Sequence, residues 1–457
     1  MSTPKVDRVV VVSASRAARV IALLMLSLRV AAHPAWAQSP VAQAEREFDV
    51  THYDVRVDPR LQSGTVRGVA VLTVVLARRE VGAINLRRGT LEIDSVAEDG
   101  HARAFVVEGT SLHIALPPSH RRPRTITVAY HGAPKSGLVF VPEHEQIYTV
   151  FSTSQWMPAH DEPDARASLN LRVTIPHAWA AAGSGREVSR RAVSKERDIV
   201  EWQQDRPMPT YTFGFAVGRF AVTSARASDV TLRLLADGFA AADAQRVLNE
   251  SAAMLSFFTE RAGVPFPGSV YGQALVMRTA GQEMAGLSIV SEAYGRTLVG
   301  DISTLGLLAH EFAHQWWGNM VTCRSWTDFW LNEGMATFMA AAYREQRFGR
   351  DAYLSDVAEM RRRYAQVVAH GGDRSLVFPN WDHPSADDRT IVYQKGALVL
   401  HELRELLGET AFWSGIRDFT RNHFGQSVTT TDFRAAMERA SDRDLGSFFD
   451  QWVYARR

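Results

Sequence analysis

The sequence is short of several things, and each shortage removes a class of explanation. Its 457 residues contain one cysteine, Cys323, so no intrachain disulfide can staple the fold. Net charge is nearly absent: 51 Lys and Arg face 50 Asp and Glu, leaving +1. That balance makes no electrostatic case for nucleic acid or an anionic membrane as partner. Lysine is scarce, at Lys5, Lys135, Lys195 and Lys395 alone, and a coding bias explains the arginine excess as well as function does. Long apolar runs are missing too. The run Val20 to Leu28 is too short to cross a bilayer core, which takes about 20 apolar residues. No internal repeat or low-complexity tract stands out.

What is there begins with a leader. Lys5, Arg8, Arg16 and Arg19 make a basic start, VIALLMLSL an apolar middle, and Ala35-Trp36-Ala37 a small-x-small cleavage site. This pattern predicts a signal peptide over 1–37 and a mature chain starting near Gln38. The expectation is export to a periplasm or the outside, with no stable membrane insertion after cleavage.

Alternation then takes over. Residues 52–57, 66–75, 104–107, 111–116, 125–130 and 169–175 read as strands punctuated by Pro and Gly. The dense segment Gln155 to Ser168 reads as a structural corner, and Tyr211 to Val222 as a last pair of strands around Gly218. The character switches after about Ser228. Helical spacing appears over 240–262, 351–370 and 391–408, and closing helices over 412–424, 431–440 and 445–454, the middle one with Thr431 and Asp432 as candidate caps. The fold class is therefore α+β: an all-β domain over 38–225 and a mainly helical domain over 226–457.

The chemistry concentrates in Leu305 to Phe338. His310 and His314 are four apart, so on a helix both imidazoles face one side and can share a metal ion. Glu311 lies between them, placed to act on a water in the same cavity. Eighteen residues further on, Glu333 can supply a third ligand from a second helix. Two His and one carboxylate leave a fourth zinc position open for water, which marks a catalytic site. Glu283 sits in Gly281-Gln282-Glu283-Met284 before a short β run, which suits a carboxylate at a cleft edge; the plain alternative is a solvated loop acid. Trp316, Trp317, Trp326 and Trp330 read as packing residues, and Cys323 as a small packed side chain. Asp328 reads as a buttress to a zinc ligand, a cap or a surface ion pair.

HEFAHQWWG (310–318), WTDFWLNEG (326–334) and YQKG (393–396) together resemble the M1 family of zinc aminopeptidases, in the gluzincin group. FDVTHYDVRVDP (48–59) and PAHDEPDARA (158–167) are similar to that family's N-terminal domain. The resemblance implies a thermolysin-like catalytic domain and one Zn2+ per chain, held by His310, His314 and Glu333. It also implies Glu311 as general base, Tyr393 as donor to the oxyanion, Glu283 as anchor for the substrate α-amine, and peptides as substrates. Around Glu283 the chain departs from the family's usual GAMEN. At the position where many members carry a second amine-binding Glu or Gln, spacing places Thr149; Gln155 is nearby but does not align. The sequence also stops near the end of the catalytic domain, where larger members continue. That implies a more open cleft, or one covered by a second copy or a partner. The competing expectations are a zinc endopeptidase with an open cleft and a non-catalytic, zinc-stabilised binding module.

Overall fold

Alternation of buried and exposed side chains builds the first half of the molecule, as period-2 patterning requires. In the strand Thr65–Leu76, Val66, Ala70, Leu72, Val74 and Leu76 are buried while their neighbours face outward. The structure is a computed structural model that describes residues 46–455 apart from 79, 119–122, 279–280 and 382–383. The signal-peptide reading of 1–37 lies outside the described residues.

The strand Phe48–Arg60 pairs antiparallel with Thr65–Leu76 and parallel with Arg166–Pro176, at the centre of an eight-stranded sheet. A three-stranded sheet holds Ala83–Arg87, Ser111–Ala115 and Phe105–Glu108. A four-stranded sheet runs Ala180–Gly183, Phe215–Gly218, Gln146–Thr149, Leu138–Val141. The segment Gln155 to Ser168 is a corner: Trp156, Met157 and Ala159 are buried, and Asp161 Oδ2 accepts from Ser154 N at 3.0 Å.

The residues expected to close the β domain behave differently. Phe215–Gly218 and Ala221–Ala227 do not pair with each other. The first stays in the four-stranded sheet. The second starts a five-stranded sheet in the order Ala221–Ala227, Val230–Ala236, Val270–Val276, Leu287–Ser291, Gly281–Met284. The expected division at 225/226 therefore falls inside a strand. Glycine 218 marks a change of sheet, which local alternation does not reveal. The last strand of this sheet, Gly281–Met284, is a short antiparallel edge.

Helices follow: α1 (Ala241–Ala262), α2 (Glu292–Gly300), α3 (Gly306–Ala313), α4 (Trp330–Phe348), α5 (Arg350–Ala369), α6 (Ala386–Thr390), α7 (Gly396–Asn422) and α8 (Thr430–Ser441). A π-turn, Ile391–Lys395, joins α6 to α7, and α7 breaks direction at Gly408 (φ 75°, ψ 162°). The cap of α8 is Thr429, one residue before the helix. Its hydroxyl accepts from Asp432 N, and Asp432 Oδ2 accepts from Thr429 N at 2.8 Å, so Asp432 is the reciprocal partner and Thr431 is not a cap. Among the described residues no helix is long and apolar enough to cross a membrane.

The β domain and the helices each have an apolar core. A third cluster bridges them. Val141, Tyr148 and Ala216 of the four-stranded sheet pack with Ala274, Val276, Met284, Leu287 and Ile289 of the five-stranded one.

Candidate active site

Helix α3 is buried throughout its last six residues, Leu308 to Ala313. An aromatic wall fixes it from behind: Tyr271 stacks on Phe312 at 3.9 Å, and Phe258, Phe266 and Trp316 close around the same ring. His314 caps the helix with helical dihedrals, so it stays one turn from His310. The two Nε2 atoms are 3.0 Å apart. Glu333 Oε2, from the first turn of α4, lies 3.3 Å from His310 Nε2 and 3.5 Å from His314 Nε2.

The outer ring atoms are engaged. His314 Nδ1 donates to Trp317 O at 3.1 Å, and His310 Nδ1 faces Thr337 Oγ1 at 3.3 Å. With Nδ1 carrying the proton, each Nε2 presents a lone pair to the same point. Glu333 Oε2 is buried there without a hydrogen-bond partner. Two lone pairs and a carboxylate oxygen converging in a buried space repel unless a cation sits among them. The donor set fits zinc. Electrostatics agree. Burial alone would raise the Glu333 carboxyl, but His314 and His310 outweigh it and hold it well below the usual carboxylate range. Burial alone would lower His314, but Glu333, Glu283 and Glu311 raise it to about 10, so without a cation a proton is drawn to the point where the lone pairs converge. A divalent cation neutralises that same concentration of negative charge.

Glu311 and Glu283 make a second group around His314, their ligand atoms and that of His314 all within 4.8 Å of one another. Glu311 Oε2 is buried with no hydrogen-bond partner among the described residues. Burial first, and the charge of Glu283 second, push its carboxyl well above the usual range. Glu283 is only 4% exposed, so it is not the solvated loop acid of the plain alternative. It sits on the edge strand, where Asn319 Nδ2 donates to its backbone O at 3.1 Å and Gln282 Nε2 to its Oε2 at 2.5 Å. Burial raises its carboxyl, against the pull of His314.

Tyr393 projects from the π-turn, its ring nearly parallel to His310 at 5.6 Å. Burial, then Glu333, raises its hydroxyl well above the ordinary range, so it stays a proton donor. π-Turns inside helices concentrate at functional positions, where they re-aim one side chain. Lys395 secures this one by donating to Asp373 Oδ1 at 3.1 Å and Arg374 O at 2.6 Å.

The structure thus brings together every residue that the sequence reading singled out for the site. It also separates the bystanders. The four tryptophans are packing residues; Trp316, Trp317 and Trp330 are fully or almost fully buried. Cys323 is a buried packed thiol. Asp328 is bonded to the first residue of α8, accepting from Thr430 N at 3.0 Å and Thr430 Oγ1 at 2.6 Å. Thr149 faces Met284, and its hydroxyl accepts from Phe215 N at 3.0 Å. Gln155 is buried against Gly89 and Gly137 in the β domain.

Several glycines escaped the sequence reading, although the blocks containing them were noticed. A Cβ on Gly281 would collide with Glu311 Oε1. A Cβ on Gly318, whose φ is +127°, would lie 2.6 Å from His314 Nδ1. A Cβ on Gly334 would lie 2.9 Å from Gly396 Cα, so α4 and α7 touch backbone to backbone and bring Glu333 and Tyr393 into one cleft. Asn332 was missed too. It donates to Tyr211 Oη at 3.1 Å and accepts from Cys323 N at 2.9 Å, fixing the residue beside Glu333.

Comparison with known proteins agrees with this geometry. The family model described as the Peptidase family M1 domain matches residues 248–452, and that of the Peptidase M1 N-terminal domain matches 50–212. The aminopeptidase N of Lactococcus lactis is 25% identical over 459 aligned positions, covering 90% of this chain and 52% of that protein. The aminopeptidase N of Escherichia coli is 29% identical, covering 64% of this chain and 35% of that protein. The chain spans about a third to a half of the length of such curated relatives. Among solved structures, an M1 zinc metallopeptidase from Deinococcus radiodurans superposes with a TM-score of 0.76 at 26% identity, covering 90% of this chain and 94% of that one. A variant of that protein is bound to a Tyr-Ser-Ala substrate. The fold and the donor set define a metallopeptidase of the two-histidine, one-glutamate kind. The chain belongs to peptidase family M1 and carries that family's N-terminal and catalytic domains.

Proposed function

We propose that the chain is an exported zinc aminopeptidase that releases N-terminal residues from peptides, with one zinc per chain. The observation carrying this reading is the position of Glu283. A buried carboxylate stands beside the hydrolytic one and the metal-type triad, with no basic side chain hydrogen-bonded to it among the described residues. An anion in that place selects a substrate ammonium adjacent to the scissile bond. The aminopeptidase relatives and the peptide-bound Deinococcus structure support the same reading.

His310, His314 and Glu333 would hold zinc, which when bound would act as a Lewis acid that acidifies water and polarises a carbonyl. Glu311 Oε2 takes a proton from the attacking water. The water oxygen bonds to the carbonyl carbon, the C–N bond breaks, and Glu311 returns the proton to the departing nitrogen. Tyr393 donates to the oxyanion as it develops, an interaction stronger in the transition state than in the ground state. Glu283 holds the ammonium, so one residue at a time fits between anchor and triad.

Hydrolysis of a panel of aminoacyl-arylamides, with and without a chelator and beside an N-acetylated peptide, tests this. Chelator-sensitive cleavage of free-amine substrates alone is expected. The uncharged Thr149 favours a second reading, a zinc endopeptidase, and cleavage of the acetylated peptide would establish that instead. Bound zinc with no hydrolysis would point to a binding module. Export is carried by the composition of 1–37, and N-terminal sequencing of the fractionated protein tests it. A start near Gln38 outside the cytoplasm is expected, and an intact leader inside it would refute export.

A further inference from the structure

We infer that Gln282 is the positioning residue of the amine site, and that it does so by tying Glu283 to the N-terminal domain. The inference rests on the aminopeptidase reading. Gln282 is fully buried and its carboxamide is used at both ends. Nε2 donates to Glu283 Oε2 at 2.5 Å, and Oε1 accepts from Phe151 N at 3.0 Å. Neighbouring strand residues ordinarily point to opposite faces. These two meet on a short strand at the edge of its sheet.

The far end of the link is unusual. Phe151 and Ser152 both have positive φ, 31° and 49°, although neither is glycine. Two consecutive residues in that region persist only where the surroundings over-determine them. The turn they form aims the Phe151 N–H at Gln282. One residue, Val150, separates it from Thr149, the position that by spacing corresponds to a second amine ligand. That position holds no charge here, and its hydroxyl is turned to Phe215 and Met284. With no charge at that position, recognition of an ammonium rests on Glu283. A lone carboxylate anchor serves only if its orientation is fixed. Gln282 fixes one oxygen, Asn319 fixes the backbone behind it, and Glu283 Oε1 remains to face the substrate. Gln282 acts through Glu283 and makes no contact with the reacting atoms.

The test is steady-state kinetics of the zinc-loaded wild type and the Gln282→Leu and Gln282→Met variants, which keep the bulk and lose both bonds. Two competitive ligands accompany it: L-phenylalanine and 3-phenylpropanoate, which differ only in the amine. The expected result is a KM for free-amine substrates raised about ten- to a hundredfold, as loss of a hydrogen bond to a charged group predicts. The kcat should change far less, and L-phenylalanine should lose affinity while 3-phenylpropanoate does not. Gln282→Asn keeps the amide on a shorter stem and is expected to recover part of the loss. An unchanged ratio between the two ligands would overturn the inference. So would equal losses on both, or lost zinc and a lowered Tm in every variant, since these mark a purely structural role. Wild-type protein with no preference for the amine would instead remove the aminopeptidase reading itself.

Discussion

The two walls of the cleft are held in different ways. The wall bearing His310, His314, Glu333 and Tyr393 is secured mostly within the helical domain, by the aromatic packing behind α3 and the glycine contact between α4 and α7, with Tyr211 of the N-terminal domain bonded to Asn332. The wall bearing Glu283 is an edge strand. Its support comes from Gln282, Asn319 and a turn of the N-terminal domain. On the proposed roles, bond making therefore depends mainly on helix packing, while recognition depends mainly on a connection between domains. Substitutions on the two walls should separate turnover from affinity.

The largest effect is expected at Glu311→Gln, which leaves the triad intact and removes the proton acceptor. Turnover should fall about 10²–10⁴-fold with zinc content unchanged. Near-normal kcat would strip Glu311 of its role. Next comes Gly281→Ala. The new methyl occupies the space of Glu311 Oε1, so a change on the recognition wall should damage chemistry. A displaced catalytic carboxylate should cost about 10²-fold in kcat. A loss confined to KM would show that the strand yields instead. Gly334→Ala inserts a methyl where two backbones touch and should destabilise by about 1–3 kcal/mol, read as a lowered Tm or denaturation midpoint. An unchanged midpoint would mean that α4 and α7 can part without strain.

The smallest effect is a change in pH dependence. Burial and then the charge of Glu283 raise the Glu311 carboxyl. Glu283→Gln removes the second cause, so Glu311 should lose its proton at lower pH. The acid limb of the kcat/KM profile should move toward acid. A stationary limb would show that the two carboxylates do not sense each other in the working enzyme.

How much of this was legible in the sequence depends on how local each feature is. His310 and His314 read directly, because one helical turn relates them. Glu333 read from a spacing that spans a single connector. Tyr393 stood out only through its resemblance block, because its approach to His310 is made by a π-turn and a glycine contact distant in the chain. Glu283 was ambiguous because its burial depends on strands and helices far from it in sequence. Gly281 and Gln282 carried no separate signal, since their significance lies in Glu311 and Phe151. The strands from 48 to 76 were plain from alternation. The passage of the chain from one sheet to another between Gly218 and Ala221 was not, since adjacent strands look alike whichever sheet they join.

The apolar cluster shared by the four- and five-stranded sheets bears on inheritance. Met284, next to Glu283, packs in that cluster with Tyr148 and Ala216. A recombination that exchanged the front half of the gene would carry away half of the anchor's bedding and leave the metal triad whole. Its product would retain a zinc centre with degraded recognition. Substrate choice, on the proposed role of Glu283, would therefore depend on both halves of the chain, although the proposed reacting side chains all come from one of them.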